Sequence, residues 1–305
     1  MKTDTLKTGL DIRNMSRRQA MQSLGLLGVG ATLSACVIPA MAAKPDIDVD
    51  VLNFALNLEY LEAEFYLQAA FGRGLSAADS GGGPASTGGR KLTYTGQPTD
   101  DVVKAYIEEI AIDEENHVKF LRKALGAKAV ARPHIDIGGV GGAFEGAAKA
   151  ASNNALAGFD PYANSLFFLH GAFIFEDVGV TAYKGASPLI SNPAFLEAAA
   201  GILAVEAYHA GEIRTILYSQ KDVVAAAGLK VSQIVQAISN LRGSVGGGKD
   251  QGILNMPDNG KANVLPTDEN SIAFSRSTTE VLAIVYLGGK TRGGFFPNGL
   301  NGNIK

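Results

Sequence analysis

Glu114-Glu115-Asn116-His117 and Glu206-Ala207-Tyr208-His209 are the residues in this chain best suited to chemistry. Each holds Glu-x-x-His inside a segment with helical periodicity. Residues three apart on an α-helix lie on one face, one turn along the axis, so a carboxylate and an imidazole so placed can grip one cation. Two such pairs, with one Glu from each of two further helices, would make a dinuclear carboxylate site in a four-helix bundle. With 14 Glu in 305 residues, chance would give two such pairs among 4 His on the order of 1% of the time. Either pair alone reads equally well as a wet helix face. Together they favour metal.

Four helices must position these groups, and the chain supplies them. The first reads from Asp46 to Ala70, with Leu52, Ala55, Leu56, Leu58 and Leu61 at helical spacing and Gly72 as the stop. Glu59 is its candidate ligand, with Tyr66 seven residues on and on the same face. Glu62 and Glu64 are expected to be a solvated flank. Residues 73–98 form a Gly/Ser/Thr-rich connection. The second helix starts near Thr99 or Asp100, ends at Gly126 and carries Glu114 and His117. Another Gly-rich connection spans 127–160, with room for a short helix around Phe144–Ala151 and with His134 as a surface loop residue. The third helix is expected to open at Pro161 and is apolar nearly all round, which predicts burial. A buried acid needs a partner or a cation, so Glu176 is its candidate ligand, with Tyr183 seven residues on. His170 sits about 240° from Glu176 around the axis and reads as a core or lid histidine. A turn over Gly185–Ser191 leads to Asn192-Pro193, a cap and first-turn proline. The fourth helix then runs to about Tyr218 with Glu206 and His209. Beyond it come a short amphipathic helix, Val231–Leu241, a turn-rich stretch, a capping box at Ser277–Glu280 opening a last helix, and an aromatic tail at Gly293–Pro297. No strand pattern of any length appears.

At 46% hydrophobic and 19% charged the composition is that of a globular protein with a full core. Net charge is −3 with no basic cluster, which excludes a nucleic-acid partner. The lone Cys36 excludes an intramolecular disulfide and a cysteine-based metal site. Residues 1–42 read as an address: Ser16-Arg17-Arg18 resembles a twin-arginine export signal, followed by an apolar run too short to span a bilayer and by Ala40-Met41-Ala42. Leu33-Ser34-Ala35-Cys36 resembles a lipoprotein box, so lipidation of Cys36 and cleavage near Ala42 stand as alternatives. The expected location is the periplasm or cell envelope, with membrane contact only through the signal or a lipidated Cys36. The expected division is 1–42 signal, 43–225 bundle, and 226–305 as an extension packed on it.

The segments 48–66, Phe175–Tyr183 and Gly293–Pro297, taken with the Glu-x-x-His pairs, resemble the ferritin-like superfamily, and within it the desiccation-related family. The resemblance covers roughly residues 46–297. It implies an all-α fold: a ferritin-like four-helix bundle with one long crossover, plus C-terminal short helices and Gly-rich loops. It implies metal ligands at Glu59, Glu114, His117, Glu176, Glu206 and His209, with Glu114 and Glu206 bridging and Glu59 and Glu176 terminal. Asp113 matches a position that orients the imidazole from the opposite helix, whereas its counterpart is Val205. No catalytic residue is implied beyond the ligands. The donor set suits two divalent ions, iron first, with manganese or zinc as alternatives. Such a pair would oxidise ferrous iron or reduce O2 or peroxide. Tyr66, Tyr183 and Tyr208 could relay electrons, although packing is the favoured reading for all three. The alternative function is a non-enzymatic stress or desiccation protein with a structural or vestigial metal site. A homo-oligomer stays open.

Overall fold

The structure, a computed structural model, describes residues 47–255 and 260–305. The signal and the Cys36 reading therefore lie outside the described residues. Seven α-helices are present among those described: α1 (Asp48–Phe71), α2 (Asp100–Leu125), α3 (Ala143–Ser152), α4 (Ser165–Ala186), α5 (Pro193–Ser219), α6 (Val231–Val245) and α7 (Thr278–Val285). The chain is all-α in class. Among the described residues the strands are two minimal antiparallel pairs, β1 (Val224–Ala226) with β2 (Leu229–Lys230), and β3 (Leu254–Asn255) with β4 (Lys261–Ala262).

The helix limits follow from local chemistry. Gly72 ends α1 in the left-handed region at φ 69°, which glycine adopts without a Cβ penalty. Asn192 accepts a hydrogen bond from the Ala194 amide, and Pro193 takes the first helical position of α5. The apolar helix α4 begins at Ser165 and not at Pro161, because Asn164 supplies the cap: its side chain accepts from the Phe167 amide at 2.8 Å. Residues 161–164 turn instead.

α1 packs on α2 and α4 packs on α5, and the two pairs form the four-helix bundle. The long crossover from α2 to α4 contains α3. By length and composition α4 could cross a membrane, but 83% of that apolar window is buried inside the protein. It is a core helix.

α1 is covered on all sides. The Gly-rich stretches 73–98 and 127–142 pair with each other through backbone hydrogen bonds, such as Thr87 N–H to the Ile135 carbonyl and Ile137 N–H to the Thr87 carbonyl. Together they lie over α1, where Leu92 N–H bonds the Ala69 carbonyl. The C-terminal tail reaches the same helix, with Asn57 and Asn301 exchanging two hydrogen bonds of 2.9 and 3.0 Å. Phe295 wedges between Phe144 and Phe175, with ring centroids 5.1 and 4.8 Å away.

This cover overturns the expectation for Glu62 and Glu64. Both are buried, at 5% and 1% exposure. Glu64 forms a buried ion pair with Arg132 and accepts from the Leu75 amide and the Ser86 hydroxyl. Glu62 turns the other way, towards the bundle centre.

Candidate metal centre

The bundle axis gathers acids that should repel one another. Glu59 and Glu62 come from α1, Glu114 from α2, Glu176 from α4 and Glu206 from α5, and Glu59, Glu114, Glu176 and Glu206 are all at 0% exposure. Two imidazoles join them. His117 Nδ1 stands 3.1 Å from Glu59 Oε2 and 3.5 Å from Glu114 Oε2. His209 Nδ1 stands 3.1 Å from Glu114 Oε1 and 3.4 Å from Glu176 Oε2. The two rings are 6.4 Å apart, centroid to centroid.

The arrangement has an approximate two-fold logic. α1 and α4 each carry a Glu and, seven residues on, a Tyr. The tyrosines cross over: Tyr66 donates to Glu176 Oε1, and Tyr183 donates to Glu59 Oε1. Each hydroxyl fixes one oxygen of a carboxylate on the opposite helix and leaves the other facing the centre. Tyr208 is 73% exposed and has no place in this arrangement. Asp113 Oδ2 lies 3.3 Å from His209 Nε2 and so can hold the ring with Nδ1 turned inward. Val205 offers His117 no equivalent.

Donor atoms converge in overlapping groups. Glu59, Glu114, His117 and Glu206 form one, and Glu114, Glu176 and His209 form a second, in each case with donor atoms within 4.8 Å of one another. Glu114 belongs to both, in a bridging place. Glu206 joins the His117 group but not the His209 group. Glu62, with Glu176 and Glu206, forms a third group. Sequence reasoning missed Glu62. Its position one turn after Glu59 was the available signal.

The donors fit a metal on their own terms. Both oxygens of Glu114, both of Glu206, Glu176 Oε2 and His209 Nδ1 are buried without a hydrogen-bond partner. His209 Nδ1 and Glu114 Oε1 are in contact yet misaligned for a hydrogen bond, as two lone pairs that share a cation would be. Space is reserved as well: a Cβ on Gly179 would lie 2.0 Å from Glu206 Oε2. Oxygen and imidazole donors without thiolate suit iron or manganese.

Electrostatics tell the same story. Burial, reinforced by the charge of Glu114, pushes the Glu59 carboxyl up to about 7 against the pull of His117. Burial and the surrounding acids push Glu62 and Glu206 well above the usual carboxylate range. Glu114 moves down: burial opposes this, but His117 and His209 outweigh it. Burial likewise favours a neutral His117, yet Glu59 and Glu114 raise its imidazole to about 11. Protons and ring charges here do the compensating that a cation does better.

A family model described as a ferritin-like domain matches residues 47–219, which span all of the helices that bear these donors. Over 250 residues the chain is 34% identical to a desiccation-related protein of Craterostigma plantagineum, covering 78% of this chain and 77% of that one. Over 273 residues it is 32% identical to a ferritin-like catalase of Nesocodon mauritianus, covering 85% of each. Both matches are longer than the bundle, so the likeness extends beyond it. No solved structure matches.

Proposed function

The chain belongs to the ferritin-like domain family, and on that premise we propose that it is a dinuclear metal oxidoreductase that consumes peroxide. The observation that carries this reading is the sharing of Glu114 between two imidazole-bearing donor groups. Glu59, Glu114, His117 and Glu206 would hold one ion, and Glu114, Glu176 and His209 the other. Iron is the first assignment and manganese the second, with zinc able to occupy the site without redox chemistry. When bound, a redox pair supplies two electrons to one peroxide and recovers them from a second, so that two H2O2 become O2 and two water molecules. Ferrous iron and O2 are the alternative substrates of the same pair.

The protein's own residues supply order. Tyr66 and Tyr183 pin the terminal carboxylates, which keeps one oxygen of each aimed inward. Asp113 sets the His209 tautomer, with the Nε2 proton turned to its carboxylate. Phe65 and Phe168 pack on Tyr66, with Phe175 behind Phe65, and this apolar shell excludes bulk water, which strengthens each electrostatic contact. The likeness to a ferritin-like catalase supports peroxide as substrate. The Arg17-Arg18 signal supports export to the cell envelope.

The test is metal analysis of purified protein together with O2 release from H2O2. Two ions per chain and O2 release are expected, with both lost in His209→Ala. The likeness to a desiccation-related protein favours a second reading, a scaffold stabilised by metal. A metal-induced rise in melting temperature without peroxide turnover would select it.

A further inference from the structure

Two helices of the bundle are covered and two are not. Glycine-rich stretches and the tail lie over α1, while α6 and α7 pack on α4. α2 and α5 keep exposed outer faces, where Ile112, Phe120 and Tyr208 stand at 41, 45 and 73% exposure.

The α2 face is its own complement about Asn116. Three residues to either side stand Asp113 and Lys119, four to either side Ile112 and Phe120, and seven to either side Glu109 and Lys123. At 3.6 residues per turn all of these lie within about 60° of Asn116 around the axis. They form one face, and none of them is buried. The acids lie on one side of Asn116 and the bases on the other. A second α2 laid antiparallel on this face, with a two-fold axis at Asn116, sets Asp113 against Lys119, Ile112 against Phe120 and Glu109 against Lys123, each twice. Lys119 also lies 3.4 Å from Glu115 of its own helix, but Glu115 already holds Arg73 at 3.0 Å and leaves Lys119 free to turn outward.

α5 carries the same centre by a different pattern. His209 meets Asp113, and Glu206 shares a donor group with His117, so α5 runs antiparallel to α2 with Glu206 level with Asn116. About that level Tyr208 is matched by Ala204, a large side chain against a small one, and Gly211 by Gly201. A Cβ on either glycine would meet nothing within 4 Å. One axis across both helices therefore suits both faces. At 1.5 Å per residue and about 10 Å per helix, the pair presents about 40 by 20 Å, or about 800 Å² per partner, the usual size of a stable interface.

We infer that the chain forms a two-fold dimer through the outer faces of α2 and α5, with α2 antiparallel to α2 about Asn116. The contact reaches the metal centre. Asp113, whose carboxylate stands 3.3 Å from His209 Nε2, takes Lys119 of the second copy on its open side. The exposed edge of the His117 ring is closed off in the same contact. The dimer goes beyond the peroxide reading and does not depend on it.

The experiment is sedimentation equilibrium of the full chain and its variants, with oxidative cross-linking. Wild type is expected at the mass of two chains. Glu109→Lys and Lys123→Glu each bring like charges together twice and are expected at the mass of one chain, at a concentration where wild type is dimeric. The double variant restores opposite charges and is expected to restore the dimer. In a Cys36→Ser background, Asn116→Cys is expected to cross-link to its own copy, because helix axes about 8–10 Å apart bring facing Cβ atoms within disulfide reach. Lys123→Cys is not, since 14 residues of antiparallel helix hold it about 21 Å from its copy. Wild type at the mass of one chain would overturn the dimer. So would a dimer indifferent to the single charge reversals, a double variant no better than the singles, or a cross-link at position 123 in place of 116. Should a charge variant fail to fold, the wild-type mass and the two cysteine variants decide.

Discussion

Asp113 is where the two halves of the centre differ. It faces His209 at 3.3 Å, while Val205 leaves His117 without a counterpart. Partners of this kind tune metal affinity by about 10–100-fold. Asp113→Ala is therefore expected to weaken one of the two tight sites by that factor, read as a change in a single phase of a metal titration. Equal weakening of both phases would refute the asymmetry. Glu114→Gln, in contrast, removes a charge common to both groups and is expected to abolish binding of both ions.

His170 makes a separate prediction at the same scale. It is fully buried, with Nδ1 donating to the Leu166 carbonyl at 2.7 Å, and burial pulls its imidazole down to about 4 from 6.5. The unfolded chain thus takes up a proton that the folded chain refuses. This contribution to stability is complete above pH 6.5 and is lost as pH falls towards 4, by about 2 kcal/mol at pH 5 and about 3 kcal/mol in full. His170→Leu should flatten the fall in unfolding free energy between pH 7 and 5 relative to wild type, as measured by urea titration.

Among the elements, α1 separates what periodicity can reveal from what it cannot. Its apolar spacing marks a helix, and Glu59 with Tyr66 marks the face that meets the centre. The burial of Glu64 was illegible, because its partner Arg132 lies 68 residues away in a glycine-rich stretch that reads as solvent-exposed connection. Arg132→Met leaves a buried carboxylate without its counter-ion and is expected to cost about 3–5 kcal/mol, seen in chemical denaturation. Glu64 faces away from the centre, so metal stoichiometry should hold at the temperature where the variant is folded. The start of α4 shows the converse. Pro161 suggested a first-turn proline, but Asn164 in an extended conformation made the stronger cap.

The C-terminal extension is fastened to the bundle through buried charge. Asp177, next to Glu176 on α4, pairs with Arg214 and Arg242 at 2.7 Å each. Asp250 pairs with Arg242 at 2.8 Å and Arg276 at 2.7 Å, and Arg276 also bonds the Thr181 hydroxyl of α4. Three guanidinium groups against two carboxylates hold only as a set. Asp250→Ala is expected to lower stability by about 3–5 kcal/mol, because it leaves buried Arg276 without a counter-ion and Arg242 with Asp177 alone. Its readout is a urea midpoint shifted down with an unchanged slope; an unaffected midpoint would show that the Asp250 pairs add nothing to stability. Since Asp177 adjoins Glu176, the same variant should also weaken the ion held with His209.

The helices, the long crossover and the two Glu-x-x-His pairs could be read from the sequence alone. They depend on spacings of three, four and seven residues along one helix, and those spacings are local. The tertiary structure alone decided which acids are buried, that Tyr66 and Tyr183 cross to opposite carboxylates, and that Glu62 joins the centre. Each of those outcomes depends on groups tens to hundreds of residues apart. Burial is a property of what covers a side chain, and here the cover comes from glycine-rich stretches and a distant tail whose own sequence carries no periodic signal.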